Sequence, residues 1–372
     1  MNNFTATSSN LNELIYPDKR NPYYIVTPKY IRSSAGIRAL HLLCHSLNRL
    51  GYQAYIVPFP PHPHELAVAP DLLTPVINNT LIQFHFENKQ CPIIIYPETV
   101  AGNPFKSPLV VRYVLNFPGF LGGDKVYPAS EICFGYSQVL ADAANASDNV
   151  LFLPATDTRI FNPGSKQLPR SGSCFYADKY KNIHSGRLFD ITSKSTEITR
   201  DLPDSQTPEE IADLFRHSEI FYCYENSALA IEAVLCGCPA VFLPNPYLTE
   251  VIAIKELGID GFAWGTAPEE IDRAKATVEK GAQNYLRTYQ KYWEQLERFV
   301  NITQERAAST PYVEIVDIPI MTLNEPGISF RELTKFCWHV VRHEGALSLL
   351  KKIIRKIGRL KIAVIFYWVS NK

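Results

Sequence analysis

The sequence predicts an α/β chain made of two strand–helix halves joined near its middle. Three observations carry this. Short apolar runs bounded by turn residues recur along the first 300 residues. Amphipathic stretches with helix start and stop signals lie between them. One segment, 154–170, breaks the rhythm with Pro154, Pro163, Gly164 and Pro169. The chain has 372 residues, 46% of them hydrophobic, which is enough for two cores. Its formal net charge is zero, which argues against a general nucleic-acid binder.

The first half opens on Tyr23-Tyr-Ile-Val-Thr27, a buried strand. Residues 34–50 follow as a helix, with Leu40, Leu43, Leu47 and Leu50 near helical spacing and Gly51 as the stop. Tyr55-Ile-Val57 is the next strand. Strand–helix–strand is the start of an open parallel sheet. Residues 92–96 form another apolar run, ending in Pro97-Glu98-Thr99 at the edge where such sheets place ligands. Residues 132–140 and 150–153 read as one more helix–strand step.

The second half begins with Cys174-Phe-Tyr176 as a strand and Lys179-Tyr-Lys181 as a basic loop. Thr196–Thr199 is a strand. Thr207, Pro208 and Glu210 form a helix start with a capping box. Ile220–Cys223 is a strand leading to Tyr224-Glu225. A short, almost wholly apolar helix follows, with Glu232 inside it and Gly237 and Pro239 as its stop. A buried carboxylate is costly without a partner. An arginine or lysine would serve, and so would a ligand rich in hydroxyls. Residues 268–306 are largely helical. The expected units are a flexible stretch 1–20, domains over 21–155 and 156–308, and an extension over 309–372.

That extension differs from the rest. Leu347, Leu350, Ile353, Ile354, Ile357 and Leu360 share one helical face, and Lys351, Lys352, Arg355, Lys356 and Arg359 take the opposite one. The apolar run after it is short of the roughly 20 residues that span a bilayer. A basic amphipathic helix over 345–372 suits an anionic membrane surface; the alternative is a helix docked on the protein. No basic-then-apolar leader opens the chain, and its eight cysteines are scattered, so a reduced cytoplasmic setting at the inner membrane face is expected. Cys236 and Cys238 lack further ligands at zinc spacing. His62 and His64 read as a rigid proline-rich loop. Gly119, Gly122 and Gly123 lack the Lys-Ser/Thr of a P-loop.

The order of the motifs resembles GT-B glycosyltransferases, especially those similar to family 4. Glu225, Asn226-Ser227 and the run Glu232-Ala233 through Gly237-Cys238-Pro239 resemble that family's donor-binding signature. Leu153–Pro163 resembles its entry into the second domain. Ser33-Ser-Ala-Gly36-Ile-Arg38 resembles its Gly-bearing first loop. The resemblance covers roughly residues 23–300. One spacing departs: six residues separate Glu225 from Glu232, where the family has seven.

This resemblance implies two Rossmann-like domains facing a cleft and a sugar moved from a nucleotide-sugar donor without a bound metal or other cofactor. The acceptor would be a glycan or lipid-linked glycan of the bacterial cell surface, such as O-antigen. Glu232 would hold ribose hydroxyls, with Glu225 as its fellow donor ligand. Ser227 and Asn226 would offer N–H groups to the diphosphate, or simply cap the helix. Lys179, Lys181 and Arg38 would supply cations, and Gly36 would let backbone approach phosphate. Glu98 would act as catalytic base or acceptor ligand, or stand as a loop residue. Arg112 would hold an acidic acceptor or pair with a carboxylate. Two other readings remain: another enzyme on the same fold, such as a nucleotide-sugar epimerase, or a non-catalytic nucleotide-sugar or glycan-binding module.

Overall fold

In a computed structural model, residues 20–313 are described apart from 64–66, 166–168 and 201–203; beyond them, residues 315, 318 and 320 are also described. The expected amphipathic segment at 345–372 and the stretch 1–19 lie outside the described residues.

Two five-stranded sheets, parallel throughout, carry the molecule. The first has the order β2-β1-β3-β4-β5, with β1 Tyr23–Thr27, β2 Ala54–Pro58, β3 Ile93–Pro97, β4 Val110–Val114 and β5 Ile132–Gly135. The second runs β10-β9-β8-β6-β7, with β6 Ser173–Tyr176, β7 Thr196–Glu197, β8 Ile220–Cys223, β9 Ala240–Phe242 and β10 Phe262–Trp264. The central strands of both sheets are buried on two faces, so most of them are dominated by apolar residues. Along β1, Tyr23 and Ile25 face one core cluster while Tyr24 and Val26 face another. Along β6 and β8, Cys174 and Phe221 face one side, and Phe175 and Tyr222 the other.

The helices obey their local signals. Helix α1, Ala35–Arg49, starts at Ser34, whose hydroxyl accepts from the N–H of Ile37. Among the described residues the remaining α-helices are α2 Asn79–Glu87, α3 Gln138–Ala143, α4 Asp178–Asn182, α5 Pro208–His217, α6 Leu229–Leu235, α7 Ile254–Leu257 and α8 Pro268–Ser309. The capping box of α5 forms as expected, Thr207 and Glu210 exchanging backbone bonds.

Three expectations change. Residues 132–140 are a strand followed by the start of a helix, because Ile132-Cys-Phe-Gly135 is fully buried beside β4 and Ser137 caps α3. Beyond them, Val150 makes only a bridge to Gly135. The basic loop at Lys179–Lys181 is instead the helix α4. The last helix, expected within the unit over 156–308, packs against both halves. Tyr285 packs in the core of the second sheet, whereas Leu296, Phe299 and Val300 pack in that of the first.

In each sheet the strand order reverses at one place, between β1 and β3 and between β6 and β8. Such switch points open a crevice beyond the carboxyl ends of the strands. The segments leaving β1, β6 and β8 there contain Arg38, Lys179 and Glu225.

Candidate functional site

A small recess of ≈ 20 Å³, partly open to solvent, lies at the segments leaving β6 and β8, facing the loop after β4. From the first half come Asn116, Phe117 and Phe120, which follow β4. The second half contributes Lys179, Tyr180, His184, Tyr224, Glu225, Asn226 and Tyr247. Glu225 is its anchor. One carboxylate oxygen accepts from Lys179 Nζ at 2.8 Å and the other from the backbone N–H of Tyr180 at 2.9 Å. The Asn226 side chain is tied back to the following loop, donating to Glu250 O and accepting from Ile252 N.

The recess wall is aromatic. His184 stacks on Tyr247 with centroids 4.0 Å apart and planes at 13°. Phe120 meets the same imidazole from the other domain at 5.1 Å. Tyr180 stacks on Tyr224 at 5.1 Å. Burial lowers the His184 pKa, with Glu225 opposing and Lys179 pushing the same way as burial. Its buried Nε2 has no hydrogen-bond partner among the described residues.

The carboxylate of Glu232 is fully buried in α6 and has found its partners within the protein. Arg38 donates to one oxygen at 2.8 Å and Arg200 to the other at 2.7 Å. Burial alone would raise this carboxyl's pKa; Arg200 and Arg38 outweigh it and hold it below the usual value. Glu232, expected to hold ribose hydroxyls or to pair with a basic side chain, here forms an ion triad that bridges the two halves. Arg200 also donates to Ser33 O at 2.8 Å, just ahead of α1.

The other expected residues lie apart. Lys181 pairs with Glu197. Ser227 Oγ accepts from the N–H of Leu229, the first residue of α6. Gly36 sits in α1, where an added Cβ would touch Leu115 at 3.7 Å. Arg112, expected at an acceptor, is wholly buried in β4. Its five donors are spent on Glu131, Pro97 O, Val100 O and Gly102 O. It is a clamp on the loop after β3.

Glu98 lies behind the recess rather than on its wall. Its carboxyl accepts from the N–H of Leu115 at 2.9 Å, one residue before Asn116. The loop carrying Phe120 folds over it, and Gly123 (φ +79°) approaches so closely that a Cβ would sit 1.9 Å from Glu98 O. Only glycine fits there. Burial, partly offset by the Leu115 bond and by Arg112, pushes the Glu98 pKa up to about 7. A folded-state pKa above the unfolded one means the folded chain holds a proton that the unfolded chain has lost. Stability therefore falls as pH rises from about 4.5 through about 7, by roughly 3 kcal/mol. Glu98→Gln is expected to flatten that part of the profile. Urea titrations at pH 5 and pH 8 check this; an equally steep loss in the variant would assign the slope to another group.

Sequence reasoning missed Asn116, Phe120, His184, Arg200 and Tyr247. Arg200 directly follows the strand expected at Thr196–Thr199, so the rule that placed Glu98 at a strand edge was available for it, whereas Asn116 follows β4, which the sequence did not mark. His184 and Tyr247 lie in loops with no pattern to mark them. Among the described residues, no group of three or more His, Cys, Asp or Glu is arranged to hold a metal ion, and the seven described cysteines are buried free thiols.

No protein-family model matches the chain, and no curated protein matches it. Solved structures that resemble it include the glycosyltransferase SnogD from Streptomyces nogalater, at 13% identity and TM-score 0.39, covering 77% of this chain and 99% of that one. CalG4, the calicheamicin glycosyltransferase, matches at 11% identity and TM-score 0.34, over 78% and 98%. MurG from Acinetobacter baumannii matches at 10% identity and TM-score 0.33, over 77% and 99%. At such scores the architecture rests on the strand order and register described above.

Proposed function

We propose that this chain is a glycosyltransferase of GT-B type, similar to family 4, which takes a sugar from a nucleotide-sugar donor. One observation carries the reading. Residues leaving the switch point of the second sheet close a single recess with an aromatic wall, a buried carboxylate and a cation. Aromatic faces stack on the C–H face of a pyranose, and a carboxylate accepts its hydroxyls. Glu225 is positioned for those hydroxyls. Lys179, 2.8 Å from Glu225, supplies positive charge where the leaving diphosphate gains negative charge. Glu98 acts by positioning: it fixes the N–H of Leu115 and so the loop that presents Asn116, Phe117 and Phe120.

The acceptor side is the loop after β4, and a glycan or lipid-linked glycan suits an open, aromatic-rimmed cleft. Among the described residues no helix is long and apolar enough to cross a membrane. The opposed apolar and basic faces of 345–372 support attachment to an anionic membrane surface instead. Cell-surface polysaccharide synthesis, O-antigen included, is the corresponding setting.

Thermal-shift measurements with UDP-, GDP- and dTDP-sugars test the donor site. At 100 times the Kd, a ligand bound only by the folded state adds about 2.7 kcal/mol. A rise in Tm with one nucleotide class is expected. No rise with any donor at millimolar concentration would overturn the reading. Release of the free nucleoside diphosphate on adding acceptor separates a transferase from a binding module.

A further inference from the structure

A second concavity lies on the first half, apart from the recess. The end of the loop that enters β5 makes one wall, the turn after α3 makes another, and one strip of α8 closes it. Its volume is ≈ 730 Å³, against ≈ 20 Å³ for the recess, which is room for a ligand of several rings.

Three cations stand in this groove: Lys125 on the loop, and Arg298 and Arg306 on α8. The two arginines are spaced ~12 Å along the helix, with Ile302 between them on the same strip. None of the three side chains has an ion pair or a hydrogen bond among the described residues. Two carboxylates share the walls. Glu131 is already held by Arg112 at 2.8 Å, so its charge is answered from behind. That leaves Asp148, which is exposed. Three positive charges against one unpaired negative charge make the groove electropositive on a chain whose net charge is zero. Asn145 and Asn149 add side-chain amides to the wall. Tyr127 adds a ring, and its buried hydroxyl bonds no described residue.

We propose that this groove binds an acidic oligosaccharide, a run of sugars bearing carboxylates or phosphates. Carboxylate and phosphate oxygens match the forked donors of Arg298 and Arg306. Sugar hydroxyls both donate and accept, so they suit Asn145 and can donate to Asp148. An acidic peptide brings no such donors on its Asp and Glu side chains, and Asp148 would repel it. A membrane surface is flat and calls for several projecting apolar groups, whereas Val126 is the one large apolar side chain of these walls that is strongly exposed.

The loop after β4 borders both places. Asn116, Phe117 and Phe120 front the recess, and the same loop reaches the groove at Lys125. Its two ends are packed together: a Cβ added at Gly119 would sit 2.5 Å from Lys125 Cγ. A glycan anchored in the groove is thus tied to the loop that forms the acceptor side. That acceptor role rests on the transferase reading above; the binding itself does not.

The probe is a hexamer of galacturonic acid, titrated calorimetrically into the full-length protein, with uncharged maltohexaose beside it. Saturable binding of the acidic hexamer, weakening as salt is raised, is expected, with much weaker binding of the neutral one. The double variant Arg298→Gln/Arg306→Gln changes two exposed side chains and is expected to weaken the hexamer ~10- to 30-fold. Glu225→Gln, altered in the recess, should bind the hexamer as wild-type protein does. No hexamer binding by wild-type protein, equal affinity for the two hexamers, or unchanged affinity in the double variant overturns the proposal. Vesicles of phosphatidylglycerol form the second arm. Vesicle binding that falls in the double variant, with no hexamer binding, assigns the groove to lipid headgroups and overturns it too. Stabilisation by a nucleotide-sugar without hexamer binding sinks this site alone. Arginine-dependent hexamer binding without any nucleotide-sugar effect keeps the glycan site and sinks the transferase reading.

Discussion

Arg112→Ala is expected to cost about 3–5 kcal/mol of folding stability, enough to remove much of a domain's margin. The reason is what the side chain leaves behind. Glu131, whose side chain is 7% exposed, would remain as a buried carboxylate without its cation. The carbonyls of Val100 and Gly102 would lose donors at 2.6 and 3.0 Å. Tyr96 and Tyr127, whose rings lie 5.3 and 5.0 Å from the guanidinium carbon, would border a void. Urea unfolding measures the loss. A variant as stable as the parent but with a raised KM for acceptor would restore the acceptor role first read from the sequence.

Glu225→Gln is expected to leave the fold intact and lower kcat/KM for sugar transfer by about 100-fold. The amide oxygen can still accept the N–H of Tyr180, so the start of α4 survives. What disappears is the charge opposite Lys179 and one acceptor facing the recess. Steady-state kinetics with varied donor check this. Full activity in the variant would remove Glu225 from the binding chemistry and shift attention to Asn116 and His184.

Much of the architecture is legible because local signals and burial agree. Tyr23–Thr27 and Ile93–Pro97 are buried throughout and mostly apolar, as suits strands covered on both faces. Ser34 and Thr207 announce their helices with side chains that bond the first turn. The fourth strand was hidden because Arg112 interrupts Val110–Val114, and a charge in a buried strand reads as surface until its partners are seen. Asn79–Glu87 went unread because it is short, and Phe84 and Phe86 leave part of its apolar surface exposed.

The site was legible in part. The need of Glu232 for a partner follows from its apolar surroundings alone. Which partner it has does not, because Arg38 lies 194 residues away and only the packing of two sheets brings it to 2.8 Å. The six-residue spacing between the glutamates is also explained. Glu225 belongs to the loop before α6 and Glu232 to the helix itself, so the two never had to share a helical face. Lys179 and Glu225 were singled out separately; that they bond to each other was beyond any local pattern.

The helix Pro268–Ser309 has 42 residues and runs about 60 Å. Its first half lies against the second sheet, and its last turns bond the opening strand, Thr303 to Tyr23 and Gln304 to Asn21. The N-terminal half of this protein is therefore unfinished until the ribosome has made residue 315, which also packs in its core. A chain cut at the linker would leave a bare apolar strip where Leu296, Phe299 and Val300 belong, and would be prone to stick to its own kind. The two halves cannot be traded independently between proteins, because one rod completes both.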